Sequence, residues 1–270
     1  RVFFLPGIPG QTQTLLNDHV LPRLSGWSGS SNHQRMRLYK TVGLLEYEIN
    51  HRLACVEQEL RVTVGYYPVD CEVHVSLSVS GSSGEEADEV FSDADQRIRQ
   101  ALGDHIYGTN RETLAEVVGN LLRGKKLMLS TAESCTGGLI GSQLTSVAGS
   151  SEWFAGGVIA YSNHLKETLL NVDRDLLRHH GAVSGSVARA MAARLAARVG
   201  TKIAVSVTGI AGPGGGSKEK PVGTVYIGIF YKNTVKDTLH YFSGSRKKIQ
   251  EMTAQTALDL VRRALLKQPE

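Results

Sequence analysis

A chain of 270 residues is long enough for one large domain or two modest ones with ample core. With 41% hydrophobic residues, 21% charged residues and a formal net charge of +4, it has the composition of an ordinary globular protein, and its scattered positive charge argues against nucleic acid as a partner. Cys55, Cys71 and Cys135 form no CxxC pair, which argues against a disulfide framework or structural zinc, and neither a membrane-spanning apolar run nor a signal peptide is present.

A reducing cytoplasm is therefore the default location, with no membrane partner. Residues 1–31 form a first zone. Val2–Leu5 reads as the end of a strand entering a turn, and a helix is predicted around Gln13–Leu24. The run Ser25-Gly26-Trp27-Ser28-Gly29-Ser30-Ser31 has linker composition. A strand needs partners that the next residues do not supply, and the chain opens at Arg1 without Met, so it reads as a piece of a longer protein.

The second zone, residues 35–107, reads as a small α+β unit. Thr41–Leu53 looks helical, and Arg61–Tyr67 and Cys71–Ser80 look like strands, the second with Val73, Val75, Leu77 and Val79 on one face. Gly81-Ser82-Ser83-Gly84 marks a loop, and Ala87–Leu102 carries a helical apolar period. No constellation of acids, bases or nucleophiles stands out here, so the unit reads as structural or oligomerising.

The third zone, residues 108–270, alternates helices and strands. A helix bearing Leu114, Val117, Val118, Leu121 and Leu122 precedes a strand at Lys126–Thr131, and a helix is expected from about Cys135 to Val147. Gly157–Tyr161 reads as a strand, followed by helices near Asn163–Leu170, Arg174–His179 and, after the N-cap Ser184, up to Val199. Three consecutive strands, Ile203–Thr208, Val222–Phe230 and Val235–Phe242, precede a last helix carrying Ile249, Met252, Leu258, Val261 and Leu265. The only dense basic run, Arg246-Lys247-Lys248, reads as the solvated start of that helix. This order implies a three-layer α/β/α domain with a mixed sheet.

Three motifs of this zone carry chemistry. Ala132-Glu133-Ser134-Cys135-Thr136-Gly137-Gly138 bridges a strand and a helix, which puts it at a sheet's carboxyl edge. Unpaired N–H groups there suit an anion or a developing oxyanion, although a serine there also serves as a plain helix cap. Tyr161-Ser162-Asn163-His164-Leu165-Lys166 follows another strand. If the two strands are neighbours, the Tyr161 and Lys166 side chains can both reach the same edge as Ser134; a desolvated lysine is a base able to activate a serine, and a tyrosine can relay or donate a proton. The glycine-rich Thr208–Ser217 is not a phosphate-binding P-loop, because Ser217 rather than Gly precedes Lys218 and Glu219 follows. It reads as a backbone-rich wall for a ligand's ribose or phosphate. Cys135 reads as a small buried hydrophobe more readily than as a thiolate. His179-His180 has no partner at metal-ligand spacing, and no metal or cofactor is expected.

Five stretches in order, Ala132–Gly138, Ala148-Gly149-Ser150-Ser151, Tyr161-Ser162-Asn163 with Lys166, Gly181-Ala182-Val183-Ser184 and Thr208–Gly215, resemble the C-terminal domain of the CinA (competence/damage-inducible) family. That domain also exists alone as nicotinamide mononucleotide deamidase. The resemblance covers about Thr109 to Leu266. The middle zone resembles the KH-like domain of full-length members, and Phe4–Gly10 resembles the tail of their molybdopterin-binding-like N-terminal domain.

The resemblance implies a metal-free amidohydrolase acting on a small nucleotide, with homodimers expected. Ser134 would attack the nicotinamide carboxamide, Lys166 would serve as general base and Tyr161 would assist proton transfer. Substrate and oxyanion contacts would come from Glu133, Cys135, Thr136, Gly137, Gly138, Asn163, Thr208, Gly209, Ala211, Gly212 and Arg246, the last near the phosphate. The competing reading is a catalytically silent, nucleotide-binding regulator linked to competence or DNA damage. A Ser/Lys hydrolase of S-x-x-K type is disfavoured because position 137 is Gly.

Overall fold

The computed structural model describes residues 2–7, 9–25, 33–58 and 61–267. Val2 to Pro6 form no strand, correcting the expectation there, because no described strand pairs with them; Phe4 is almost fully exposed. The predicted first helix is present as α1 (Pro9–Leu15), a π turn (Leu16–Val20) and α2 (Leu21–Ser25) in unbroken succession. The glycine/serine linker, Ser25 apart, lies outside the described residues.

The first sheet holds a strand that the sequence hid. β1 (His33–Thr41) occupies the stretch before and into the expected helix, so the helix is only α3 (Glu46–Glu57). β1 points polar residues inward and Met36 outward, the reverse of the usual alternation. Its inward arginines are neutralised by the neighbouring helix: Arg35 pairs with Asp88 (2.5 Å) and Arg37 with Asp95 (2.6 Å). β2 (Val62–Val69) and β3 (Glu72–Gly81) follow as expected, and α4 (Gly84–Leu102) starts on the Ser83 side-chain cap. Val73, Val75, Leu77 and Val79 of β3 are buried together against Ile49 and Leu53 of α3 and Ile98 of α4.

The strand order is β2-β3-β1-β4, all antiparallel, with β4 (Ile106–Thr109) pairing β1. This first sheet thus runs to Thr109, just inside the third zone of the sequence.

The second sheet forms the middle of three layers. α5 (Leu114–Gly124) opens with a capping box between Thr113 and Glu116 and leads into β5 (Leu129–Glu133). Then come α6 (Leu139–Thr145), β6 (Phe154–Ile159), α7 (Asn163–Leu170), α8 (Arg174–His180), α9 (Gly185–Val199) and β7 (Ile203–Gly209). β8 (Thr224–Tyr231), β9 (Thr234–Tyr241) and α10 (Arg246–Leu266) close the fold.

The order is β6-β5-β7-β8-β9; the first three strands are parallel and the last two antiparallel, so the sheet is mixed as expected. One apolar layer joins α5, α6 and α10 to one sheet face through Leu122, Ile140, Leu258 and Val261. The other face is covered by α7, α8 and α9 through Leu170, Leu177, Val187 and Met191. No helix among the described residues is long and apolar enough to cross a membrane.

The topology creates the crevice. β5 lies between β6 and β7, and the chain leaves β5 through α6 on one face but leaves β6 through α7 to α9 on the other. Connections that part to opposite faces open a gap at the carboxyl end of the strand between them.

Candidate active site

Ser134 stands one residue beyond β5, at that gap. Its N–H donates to Val207 O of β7 (3.1 Å), while Ala160 N donates to Glu133 O (2.8 Å), so both neighbouring strands pin the backbone around it. The helix expected from Cys135 begins only at Leu139. The reason is Glu133, only 2% exposed, whose carboxylate accepts from Thr136 Oγ1 (2.7 Å), Gly138 N (3.0 Å), Ile140 N (3.1 Å) and Gly141 N (2.8 Å). A carboxylate at a helix N-terminus satisfies orphan donors and complements the dipole. To swing those donors round it, the chain passes through Gly137 and Gly138 at φ of 64° and 101°, a left-handed region that glycine enters without penalty.

This arrangement corrects the expected oxyanion set. Glu133 is consumed as an internal cap, Thr136 gives it its hydroxyl, and the Gly138 N–H is also taken by Glu133. Gly137 N donates to Ser134 O (3.1 Å). Among the described residues, the Thr136 N–H has no protein acceptor and the Cys135 N–H none beyond its own thiol, and these are the donors available at the turn. Glu133→Ala should lower stability by about 2–4 kcal/mol, through three stranded N–H groups and a lost cap, read as a lower urea midpoint at unchanged slope.

Lys166 is brought to Ser134 by α7. It is 1% exposed, and its Nζ lies 3.0 Å from Ser134 Oγ, 2.8 Å from Ala160 O and 3.3 Å from Tyr161 O. No carboxylate pairs with it among the described ion pairs. Burial therefore dominates and lowers its pKa from 10.5 to about 8. A neutral amine has two N–H bonds and one lone pair. With the two carbonyls taking the N–H bonds, the lone pair falls toward the Ser134 hydroxyl, the arrangement a general base requires.

Tyr161 stands at the same edge. Its ring is 58% exposed, and its hydroxyl accepts from Arg246 Nη2 (2.9 Å), not from Ser134 or Lys166. What Tyr161 gives Lys166 is its backbone carbonyl. Arg246, the first residue of α10, also donates through Nη1 to Gly212 O (2.7 Å) and has no carboxylate partner among the described residues. Cys135 is buried and its thiol is pushed up to about 12 by desolvation, so it is no thiolate.

Around these groups lies a half-open cavity of about 160 Å³, walled by Ser134, Cys135, Lys166 and Thr208 inside and by Tyr161 and Arg246 at the mouth. Gly209 and Ala211 also line it; Asn163 and Gly212 do not. Asn163 begins α7 exposed, and Gly209 owes its missing side chain to packing, since a Cβ there would lie 2.6 Å from Val225. Cavities of about 400 and 480 Å³ exist elsewhere, but neither is lined by a hydroxyl beside a buried lysine.

The sequence missed the carbonyls of Ala160 and Tyr161, which carry no side-chain signature. It also missed Gln250 of α10, whose Nε2 donates to Cys135 O (2.7 Å) and steadies the turn after Ser134. Among the described residues no group of three His, Cys, Asp or Glu side chains is arranged to hold a metal.

Residues 111–265 match the family model described as the CinA C-terminal domain, and residues 36–108 match that of the damage-inducible protein CinA KH domain. The chain belongs to the CinA family. A CinA-like protein of Desulfotalea psychrophila is 44% identical over 266 residues, covering 98% of this chain and 64% of its own length. A putative competence-damage inducible protein of Caldicellulosiruptor bescii is 43% identical over 263 residues, with shares of 97% and 64%. The chain thus spans about 64% of the length of these CinA relatives.

Among solved structures, the competence/damage inducible protein CihA of Agrobacterium tumefaciens is 42% identical with a TM-score of 0.55, over 57% of this chain and 94% of that one. The competence damage-inducible protein A of Klebsiella pneumoniae is 29% identical with a TM-score of 0.56, over 58% and 97%.

Proposed function

We propose that this CinA-family chain hydrolyses the carboxamide of nicotinamide mononucleotide to nicotinate mononucleotide and ammonia. The observation that carries the reading is the uncharged-prone Lys166, seated on two carbonyls with its Nζ 3.0 Å from Ser134 Oγ. The substrate class rests on the resemblance of the five ordered motifs to nicotinamide-nucleotide deamidases, and the cavity chemistry supports it. A space of about 160 Å³ is smaller than the ~300–1,000 Å³ that encloses a drug-sized ligand. It therefore suits the amide-bearing end of a nucleotide, with the phosphate outside beside the Arg246 guanidinium.

In this mechanism neutral Lys166 takes the Ser134 proton as Oγ bonds to the carboxamide carbon. The carbonyl oxygen becomes an oxyanion facing the Cys135 and Thr136 N–H groups, donors worth about 3–4 kcal/mol each in well-studied hydrolases. Lys166, now an ammonium, returns its proton to the departing nitrogen, and ammonia leaves as the C–N bond breaks. A water then attacks the ester carbon, giving its proton to Lys166, and Ser134 recovers a proton as the acid is released. Tyr161 orients Arg246 rather than relaying a proton.

The test is ammonia release from nicotinamide mononucleotide by purified protein without added metal, with nicotinate mononucleotide identified as product. Stoichiometric formation of both supports the reading. Saturable binding without turnover would replace it by a silent nucleotide-binding module.

A further inference from the structure

The link between α8 and α9, from Gly181 to Ser184, walls the cavity through Ala182 and Val183. It has no regular structure, yet each carbonyl from His180 to Val183 is occupied. Lys220 Nζ donates to His180 O (3.1 Å) and Val183 O (2.7 Å), Thr208 Oγ1 to Ala182 O (2.8 Å) and Ser184 Oγ to Gly181 O (3.0 Å). The Gly181 N–H closes α8 on Leu177 O (3.0 Å). Among the described residues the N–H groups of Ala182 and Val183 have no protein acceptor, although both residues are half-buried at the cavity wall. Open donors on half-buried residues that line a cavity are available to a molecule bound in it.

The clamp belongs to the glycine-rich loop. Lys220 is presented by a tight turn in which Ser217 N donates to Lys220 O (2.9 Å) and Lys220 N donates to Ser217 Oγ (3.0 Å). The same loop holds Arg246 through Gly212 O (2.7 Å). One loop thus holds two parts of the cavity lining, the guanidinium and the strap, and its lysine reaches carbonyls.

We propose that the strap is a substrate-binding element, with the Ala182 and Val183 N–H groups donating to ribose-phosphate oxygens of the nucleotide, and that Lys220 is the positioning residue that presents them. This rests on the nucleotide-amidase reading of the site. The reacting carbonyl oxygen is served by the turn after Ser134, so the strap grips a part of the substrate whose charge is constant through the reaction. Contacts of that kind act on KM and leave kcat.

The test is the kinetics of Lys220→Met and Lys220→Arg on nicotinamide mononucleotide. Lys220→Met should raise KM about tenfold or more with kcat within about threefold, and Lys220→Arg should recover most of the loss. An unchanged KM, or a fall in kcat alone, would overturn the proposal. Amide exchange of the unmodified protein gives a second readout independent of the variants' folding: the nucleotide should slow exchange at Ala182 and Val183, and equal rates with and without it would overturn the strap's role. If the unmodified protein releases no ammonia, the deamidase reading fails by itself. Protection at those two amides would then still support the binding strap, and its absence would sink both.

Discussion

Ser134→Ala is expected to lower kcat on nicotinamide mononucleotide by about 10⁴-fold or more while leaving nucleotide binding within about threefold. Among the described residues Ser134 Oγ is the only hydroxyl bonded to the buried amine of Lys166, so none of their side chains stands ready to replace it. Cys135 is adjacent, but its thiol pKa near 12 keeps it protonated at neutral pH. The fold should survive, because the Ser134 N–H bond to Val207 O (3.1 Å) is a backbone bond and the lost hydroxyl contact is a single hydrogen bond worth about 1 kcal/mol. The measurements are single-turnover ammonia release, urea denaturation and nucleotide binding on the same preparation. A variant retaining more than a tenth of the activity would remove Ser134 from the role of nucleophile.

Lys166→Met should reduce kcat about 10²–10⁴-fold, the usual contribution of a positioned general base. In the unmodified protein, kcat/KM should rise with pH and level off above about 8, because only the neutral amine accepts the Ser134 proton. The same shift makes a stability prediction with a definite sign. The folded-state pKa, about 8, is below the ordinary value of 10.5, so between those values the unfolded chain binds more protons than the folded one. Stability contributed by this group therefore rises with pH across that window. Below about 8 the folded protein carries a buried ammonium at a cost of about 3 kcal/mol relative to the neutral amine, and above 10.5 that cost is gone. Relative to Lys166→Met, in which other titrations cancel, the unmodified protein should gain stability from pH 7 to 10 (about 2–3 kcal/mol). Paired urea unfolding at several pH values measures it, and a difference independent of pH would mean that Lys166 is solvated and unsuited to act as the base.

Gln250 and Gln255 show how far the site depends on a helix remote from it in sequence. α10 begins with Arg246 at the cavity mouth, steadies Cys135 O through Gln250 (2.7 Å), and reaches Glu72 of β3 through Gln255 (2.7 Å). Lys248 donates to Asp70 O and Arg262 to Asp104 O, so the helix that braces the turn after Ser134 is also the seam to the first sheet.

Local pattern determined much of this protein. The β3 face of Val73, Val75, Leu77 and Val79, the Ser184 cap and the layered α/β/α order were legible because burial period and capping chemistry are written in neighbouring residues. The motif around Ser134 and the later Lys166 were legible as reactive groups awaiting a partner.

Only the tertiary structure decided the rest. β1 was hidden because its inward arginines are neutralised by Asp88 and Asp95, some fifty residues further along the chain. The late start of α6, the consumption of Glu133 as a cap and the bond of Tyr161 to Arg246 depend on where a side chain ends up, and residue type does not state that. The pairing of Ser134 with Lys166 itself required β5 and β6 to be neighbours, a strand order that no local periodicity encodes.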